Sequence, residues 1–406
     1  MESKASGRPV FRKPPPEGVV EVVGIGREWS IAGLEDGSLL AARKQRCRLS
    51  RDGGETWAEE RDLPEPVSAS GLLRLNSGAL AAFSDDMLWL SNDDGRTWGE
   101  GRAIPMLGSP YYDTLVQLSS GRLLYPNRAC FGNQGHPDLP LEYVRSYGLW
   151  KGLRRQVSGH YHWPEIDIAS VSISDDEGES WRICEGELMG WFDEHGVPNG
   201  QGGVTACDEP SVAETRDGRV LFLARSTVGR LVCSYSRDGG LTWSAVRPTE
   251  LAASYSPPAL TTVPGTGDLI CVWNQASREE IRRGYRRGRL SAAVSRDSGA
   301  TWQGFRTIEV SAGLEDVDRV PAESPVTPVI GLPDLGQLPD DFAVFRYPNV
   351  RVIGGHVFLL YAREWFELAS GARSGFEDEG DGGVVLGHEN VLRRYPLEHF
   401  YEQSLP

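Results

Sequence analysis

The chain has 406 residues, and 57 acidic against 42 basic side chains give it a formal net charge of −15 at pH 7. This excess of negative charge argues against a nucleic-acid backbone as a partner. The 6 cysteines (positions 47, 130, 184, 207, 233 and 271) are widely spaced and form no C-x-x-C pair. They are therefore interpreted as free, mostly buried thiols of a protein in a reducing compartment.

The first 18 residues are polar and contain Pro14-Pro15-Pro16, so they are predicted to form a flexible tail before a single domain over 19–406. They contain no apolar segment typical of a signal peptide. The sequence also has no run of about 18 apolar residues, the length that a membrane helix needs. These features predict a cytoplasmic protein that does not interact with a membrane.

A short motif of the form S-x-D-x-G-x-T/S-W occurs five times along the chain. The copies begin at Ser50, Ser91, Ser174, Ser236 and Ser295. In such a motif the Asp can accept hydrogen bonds from backbone amides, the Gly can adopt a positive φ, and the Trp buries a large flat surface. The five Asp residues are therefore predicted to be turn residues rather than catalysts, and the repetition predicts a repeat architecture.

A second signal, an apolar run that contains a turn glycine, precedes every motif and occurs once more at Gly354-Gly355 without a motif after it. Each unit is typical of four short antiparallel strands. Six units predict an all-β fold, a six-bladed β-propeller whose closed ring leaves few exposed strand edges. The segment 384–401 is predicted to close the ring by pairing with blade one.

The residues just before the first strand and just after the second strand of each unit must lie at the same end of the propeller. Most of these positions hold charged or hydrogen-bonding side chains, so this end is predicted to contain the site. Polar strand ends with no function are the alternative. The positions are Arg27, Glu28, Lys44, Asp85, Tyr112, Asp113, Arg128, Glu209, Arg225, Asn274, Tyr347 and Arg363.

Segment 209–225, EPSVAETRDGRVLFLAR, resembles the bacterial sialidase pattern E-P-x-V-x-E-x-x-D-G-x-x-L-x-x-x-R, and the repeated motif is similar to the Asp-box of that superfamily. The resemblance implies that Glu209 polarises a catalytic tyrosine and that Arg225 belongs to a triad that binds a carboxylate. Tyr347, in Y-P-N-V, is similar to the nucleophile region, and Arg289 resembles the third triad arginine. Arg27 stands where the first belongs, although G-R-E-W replaces the family's F/Y-R-I-P.

These roles suit the chemistry of the side chains. A guanidinium binds a carboxylate bidentately, and a tyrosine beside a glutamate can replace a carboxylate nucleophile when the substrate is itself anionic. The resemblance therefore implies an exo-glycoside hydrolase that acts on a terminal, carboxylate-bearing sugar and needs no cofactor. A purely structural ion pair between Glu209 and Arg225 is the alternative for these two residues.

One departure concerns the proton donor. Sialidases have an acid/base Asp between the first hairpin and the first Asp-box, whereas segment 43–48 contains no carboxylate. Asp113 is the expected substitute, followed by Asp85 and by His160 and His162. The two histidines would share one strand face, where hydrogen-bonded pocket residues are favoured over a metal site, so no metal is predicted.

Two further functions stay open at this stage. The first is a propeller polysaccharide lyase that uses a His/Tyr pair on a uronide, and the second is a non-catalytic carbohydrate-binding propeller. Six arginines between Arg278 and Arg289 are interpreted as lining the entrance for an anionic sugar.

Overall fold

The computed structural model describes residues 10–132, 146–150, 153–157, 165–192, 203–322, 338–368 and 383–401. Nearly all regular structure in these ranges is β-strand, with one short helix, α1 (Arg278–Arg282), and a 3₁₀ turn at Leu397–Phe400. The strands form six blades, and the predicted six-bladed propeller is confirmed. No helix among the described residues is long and apolar enough to span a membrane.

Strand β1 (Val20–Val23) comes first in the chain and belongs to the last blade. Blade one contains β2 (Ser30–Gly33), β3 (Leu39–Arg43), β4 (Arg46–Ser50) and β5 (Arg61–Asp62). Blade two contains β6 (Gly71–Arg74), β7 (Leu80–Ser84), β8 (Met87–Ser91) and β9 (Arg102–Ala103). Blade three begins with β10 (Ser109–Pro110), β11 (Val116–Gln117) and β12 (Leu123–Gly132).

After β12 the chain forms a separate hairpin of β13 (Ser146–Trp150) and β14 (Leu153–Val157), and β15 (Glu165–Ser174) and β16 (Arg182–Ile183) then complete blade three. A second hairpin, β17 (Gly190–Phe192) and β18 (Gly203–Thr205), precedes blade four, which contains β19 (Asp208–Glu214), β20 (Val220–Arg225), β21 (Arg230–Ser236) and β22 (Arg247–Ala252). Blade five contains β23 (Ala259–Thr262), β24 (Leu269–Trp273), β25 (Arg289–Ser295) and β26 (Gln303–Val310). Blade six contains β27 (Phe342–Ile353), β28 (His356–Leu368), β29 (Gly383–Pro396) and β1.

The hydrophobic core lies between neighbouring blades, where the apolar residues of the inner strands meet. Leu40 and Ala42 of blade one, for example, pack in one buried cluster with Leu72 and Leu80 of blade two. Another cluster joins blade one to blade six through contacts that include Phe358. Because burial of apolar surface is favourable, each blade is stabilised mainly by its two neighbours.

Each Asp-box forms a hydrogen-bonded turn at the lower end of the propeller, which is also the end with the glycine hairpins. Asp52 accepts hydrogen bonds from Ser50 Oγ at 2.8 Å and from the N–H of Thr56 at 2.9 Å. Gly54, with φ of 96°, donates its N–H to Ser50 Oγ at 2.8 Å. The same contacts recur in the other four copies, around Asp93, Asp176, Asp238 and Asp297.

The ring closes inside blade six rather than in blade one. Strand β29 pairs with β28 on one side and with β1 on the other, in a register that places Val20 opposite Arg394. The predicted pairing of segment 384–401 with blade one is therefore wrong: its partner is the strand that precedes blade one. The guanidinium of Arg393 explains this choice, because it donates to Glu21 of β1 at 2.7 Å and to the carbonyl of Ile308 at 2.7 Å.

Part of the predicted flexible tail is held against the propeller. Phe11 donates its N–H to Asp341 at 3.1 Å, and its carbonyl accepts from the indole of Trp365 at 3.1 Å. Arg12 forms an ion pair with Glu389 at 2.6 Å. Residues 11 and 12 are thus docked on blade six, where these polar contacts oppose the loss of chain entropy.

Candidate active site

Three non-glycine residues in the first-strand regions of blades one, four and six lie in the left-handed region of backbone conformation. Glu28, Glu209 and Tyr347 have φ of 67°, 45° and 54°. Each precedes a similar tripeptide, W-S-I, P-S-V and P-N-V respectively. For Glu209 and Tyr347 the strand register shifts at this point, so both residues lie on bulges at the upper end of the propeller. Such strained positions cluster at functional sites in proteins.

A tight turn presents Arg27 and Glu28 at the same end. Trp29 donates its N–H to the carbonyl of Gly26 at 2.9 Å, which closes the turn. Gly26 packs so closely on blade six that a Cβ there would lie 2.3 Å from the backbone nitrogen of Val391. Gly26 is therefore required where blade one meets blade six, and its position determines where the next two side chains lie.

Tyr347 lies between two guanidinium groups. The guanidinium carbon of Arg27 is 4.2 Å from the centre of the Tyr347 ring, and that of Arg287 is 5.1 Å from it. Nη1 of Arg287 and Nε of Arg27 are buried and have no hydrogen-bond partner within the described ranges. Tyr111 and Tyr112 also pack on Tyr347, with ring centres 5.8 and 5.6 Å away. The arrangement places unsatisfied cationic donors beside a phenol.

Tyr347 lines a small cavity, called here the Tyr347 cavity. Its volume is about 20 Å³, and Glu28, Tyr112 and Asp113 are among the residues that line it. A space of this size holds about one water molecule. This space alone is therefore too small to hold a sugar ring.

Glu209 and Arg225 belong to a buried network next to this cluster. Arg225 Nη1 lies 2.8 Å from Glu209, and Arg225 Nε donates to Asp208 at 2.8 Å. Asp208 also accepts from Tyr255 at 2.9 Å and is 2.7 Å from Nε of Arg128. Burial raises the pKa of Asp208, but the charges of Arg225 and Arg128 outweigh burial and hold that pKa below its usual value.

Tyr111, rather than Glu209, contacts the segment that contains Tyr347. No hydrogen bond joins Glu209 to the Tyr347 hydroxyl in the described part of the chain. Burial raises the pKa of Tyr111 well above its usual value, and the negative charge of nearby Glu209 raises it further. The Tyr111 hydroxyl donates to the carbonyl of Pro348 at 3.3 Å. Tyr111 is therefore bonded to the residue that follows Tyr347 and lies close enough to Glu209 to be affected by its charge.

Asp113, the expected proton donor, lies in the central channel and is fully paired. Its carboxylate accepts from Ser30 Oγ at 2.6 Å, from Asn349 Nδ2 and from Nε and Nη2 of Arg351. The side chain is only 1% exposed. A carboxylate that already accepts from four donor atoms has no free position for a sugar oxygen, so this structure does not support Asp113 as the acid.

Two other predicted residues, Arg289 and Asn274, are engaged in contacts within and between blades. Arg289 is buried against Glu280, 2.8 Å away, and donates to the carbonyl of Glu315. Asn274 donates to the carbonyls of Arg289 and Phe345 and so links blades five and six.

Arg363 belongs to the closure of the ring. It lies 3.1 Å from both Glu21 and Glu309, between the outer parts of blades five and six. Asp85 lies in the exposed turn between β7 and β8 and does not line the Tyr347 cavity. His160 and His162 lie outside the described residues, so their predicted roles stay predictions. Within those residues, no cluster of three or more His, Cys, Asp or Glu side chains could hold a metal ion.

The sequence analysis missed Arg287 and Tyr111. Arg287 belongs to the arginine-rich segment that was interpreted as the sugar entrance, and it lies two residues before the arginine chosen from it. It precedes β25, so strand alternation gives no indication of its direction. Tyr111 stands next to a position, Tyr112, that the repeat count placed at the upper end, and its aromatic neighbours offered no separate signal.

Comparison with known proteins identifies the family. The family described as BNR repeat-like domain matches residues 81–356, which is more than half of the chain. The chain belongs to this family. The prediction of a sialidase-like, Asp-box protein is confirmed at this level. No curated protein matches the sequence of this BNR-repeat protein significantly.

Several solved structures resemble the BNR-repeat protein. A Dyadobacter fermentans protein of unknown function has 15% sequence identity and a TM-score of 0.47, over 93% of this chain and 99% of its own. Trypanosoma rangeli sialidase has 13% identity and a TM-score of 0.46, over 94% of this chain and 56% of its own. The same sialidase in complex with sialic acid has 14% identity and a TM-score of 0.45, over 97% of this chain and 59% of its own. The chain thus spans little more than half the length of the sialidase.

Proposed function

We propose that the protein is an exo-glycoside hydrolase that removes a terminal, carboxylate-bearing sugar, with Tyr347 as nucleophile and with Arg27 and Arg287 binding the carboxylate. The main support is the position of two guanidinium groups 4.2 and 5.1 Å from the Tyr347 ring. The family match adds that the protein belongs to a sialidase-like superfamily. The family match does not assign these roles to individual residues.

The unpaired donors favour an anionic ligand. Arg287 is 3% exposed, and its Nη1 has no hydrogen-bond partner in the described ranges. A buried donor without a partner costs about 1–3 kcal/mol, and more when it is charged. A carboxylate at this point would accept from both guanidinium groups and remove that cost, whereas a hydroxyl group would neutralise no charge.

The arginines proposed to bind the carboxylate differ from those that the sequence predicts. Arg225 is occupied by Asp208 and Glu209, and Arg289 by Glu280, so neither has a guanidinium free for a sugar. Arg287 takes the place of Arg289 in the proposed site. The carboxylate would then bind through two arginines, with the half-buried Arg346 nearby as a third cation, itself paired with Glu364 at 2.6 Å.

The nucleophile is held by its neighbours. Tyr347 is half-buried, its peptide is strained, and the Tyr111 hydroxyl binds the next carbonyl. Such a hydroxyl can attack an anomeric carbon from a fixed position, and a neutral phenol avoids the repulsion that an anionic substrate would exert on a carboxylate nucleophile. Water then releases the sugar from the covalent intermediate.

The test is a panel of aryl glycosides of a sialic acid, a uronic acid and the matching neutral hexose. We expect turnover of an acidic sugar, a fall in kcat of at least about 10³ in Tyr347→Phe, and a fall in kcat/KM of about 10² in Arg287→Met with kcat less affected. Labelling of Tyr347 by a fluorinated sugar of the same class, followed by peptide mass spectrometry, would identify the nucleophile. The proposal fails if no acidic glycoside is turned over, or if Tyr347→Phe retains full activity.

Binding without turnover is the second candidate, because one observation favours it. Asp113, Asp208 and Glu209 are each engaged in an ion pair with an arginine, so none of them is free to act on a sugar. In that case calorimetry would detect binding of the free acidic sugar, Tyr347→Phe would bind it equally well, and no product would form. The lyase alternative depends on His160 and His162, and a product that absorbs in the ultraviolet would reveal it.

A further inference from the structure

The Tyr347 cavity is lined by two carboxylates, and only one of them is free of close hydrogen bonds. Asp113 accepts hydrogen bonds from Arg351, Asn349 and Ser30 and has no free position. Glu28 is held far more loosely. Its Oε1 lies 3.8 Å from Nε of Arg27 and accepts only a long, 3.5 Å hydrogen bond from the Tyr112 hydroxyl.

Two other carboxylates near Tyr347, those of Glu209 and Glu364, are also held by closer ion pairs than Glu28 is. Glu209 lies 2.8 Å from Arg225, and Glu364 lies 2.6 Å from Arg346. Burial raises the pKa of Glu364, but the hydrogen bond from His388 and the charge of Arg346 lower it below its usual value. Glu28 is 28% exposed at its side chain, so a proton can reach it from solvent.

The backbone places Glu28 as it places Tyr347. Both residues have a positive φ, and the tripeptides that follow them are similar. Glutamate gains nothing from the left-handed region, which a glycine would occupy at less cost. The turn closed by Gly26 and Trp29 therefore holds a strained carboxylate at the upper end, beside the aromatic ring of Tyr112, which packs on Tyr347 at 5.6 Å.

We propose that Glu28 is the acid/base residue of the reaction, in place of the Asp that the sialidase pattern has on another loop. In the first step the Tyr347 oxygen bonds to the anomeric carbon and loses its phenol proton to solvent water. The bond from that carbon to the leaving oxygen breaks, and the Glu28 proton moves to this oxygen. In the second step a water molecule attacks the anomeric carbon, Glu28 takes one of its protons, and the bond to Tyr347 breaks with reprotonation of the phenol.

The inference rests on the proposed hydrolase function. The dependence of the rate on the leaving group tests the role of Glu28 separately from that function. A general acid matters when the leaving oxygen is basic and matters little when it is a good leaving group such as 4-nitrophenolate. We therefore expect Glu28→Gln to lower kcat/KM by about 10²–10⁴ on an alkyl glycoside of the accepted sugar and by less than about tenfold on its 4-nitrophenyl glycoside. The alkaline limb of the pH–kcat profile should disappear in the same variant.

Two controls complete the experiment. Glu35→Gln removes an exposed carboxylate in the hairpin at the opposite end of blade one and should leave both rates unchanged. Glu28→Asp keeps an acid and should restore part of the alkyl glycoside activity. The inference is overturned if Glu28→Gln slows both glycosides equally or neither, or if Asp85→Asn shows the leaving-group dependence instead. A wild-type protein that turns over no glycoside would contradict the proposed function itself.

Discussion

The ion pair between Asp113 and Arg351 gives a sharp prediction about stability. The pair crosses the central channel and joins blade three to blade six, with side chains 1% and 12% exposed. Removal of one partner of a buried pair leaves the other charge uncompensated, which costs about 3–5 kcal/mol. We therefore expect Asp113→Asn and Arg351→Met each to lower the free energy of unfolding by about that amount.

The double variant distinguishes a structural role from a catalytic one. Replacement of both charges leaves no ion without a partner, so D113N/R351M should be destabilised by no more than about 2 kcal/mol, far less than the sum of the single changes. Denaturant unfolding followed by tryptophan fluorescence measures this coupling, provided that the m-value stays constant. Additive effects would refute the reasoning. The double variant should also retain catalysis; loss of activity in a stable D113N/R351M protein would restore Asp113 as the proton donor.

Three further outcomes are expected. Gly26→Ala places a Cβ 2.3 Å from the backbone of Val391, so it should lower the free energy of unfolding by about 1–3 kcal/mol and weaken sugar binding. In the control Gly99→Ala the nearest atom is 3.6 Å from the new Cβ, so calorimetry should show unchanged stability and unchanged sugar affinity. The hydroxyl and N–H of Thr97 lower the pKa of Asp93 to about 2, so this carboxylate stabilises the fold above pH 4 and loses its effect as the pH falls through 2. Asp93→Asn should therefore lower the melting temperature at pH 6 and converge with the wild type near pH 2; a constant difference would contradict the assignment. Glu21→Gln weakens two hydrogen bonds from arginines, so the opening free energy of β1 should fall by about 1.5–3 kcal/mol. Hydrogen exchange of the β1 amides should become faster accordingly, while exchange of the β6 amides should not change.

The fold could be predicted because its information is local and repeated. Each Asp-box is complete within eight residues, and each hairpin glycine lies a fixed distance from the strand ends. Blade number and the shared upper end follow from this repetition. The closing strand could not be predicted in the same way, because β1 pairs with a segment at the other end of the chain through a buried contact of Glu21 with Arg393.

The site could be predicted only where position in the repeat determines direction. Tyr347, Glu209, Arg225 and Arg27 lie at the expected end of the propeller. The partners of these residues come from distant blades, and the sequence does not indicate that Arg351 would neutralise Asp113 from 238 positions away.

The alternation of side chains along a strand explains why Arg363 does not lie where the sequence predicts. Arg363 lies in the middle of β28, where it faces the neighbouring blade and pairs with Glu309 rather than with a ligand. Glu28 was counted among the upper-end positions but given no role. A comparison of E-W-S-I, E-P-S-V and Y-P-N-V would have distinguished it, because it precedes a tripeptide similar to those after Glu209 and Tyr347.

The joint between β1 and β29 has a consequence for biosynthesis. The two strands lie near opposite ends of the sequence, so blade six stays incomplete on the ribosome until translation has passed residue 396. Blades one to five can assemble earlier on the emerging polypeptide. Until blade six is complete, blades one and five each keep one apolar face exposed to solvent. Pairing over so long a sequence separation is slow, so nascent chains of this protein should depend on chaperones more than helical proteins of equal length do.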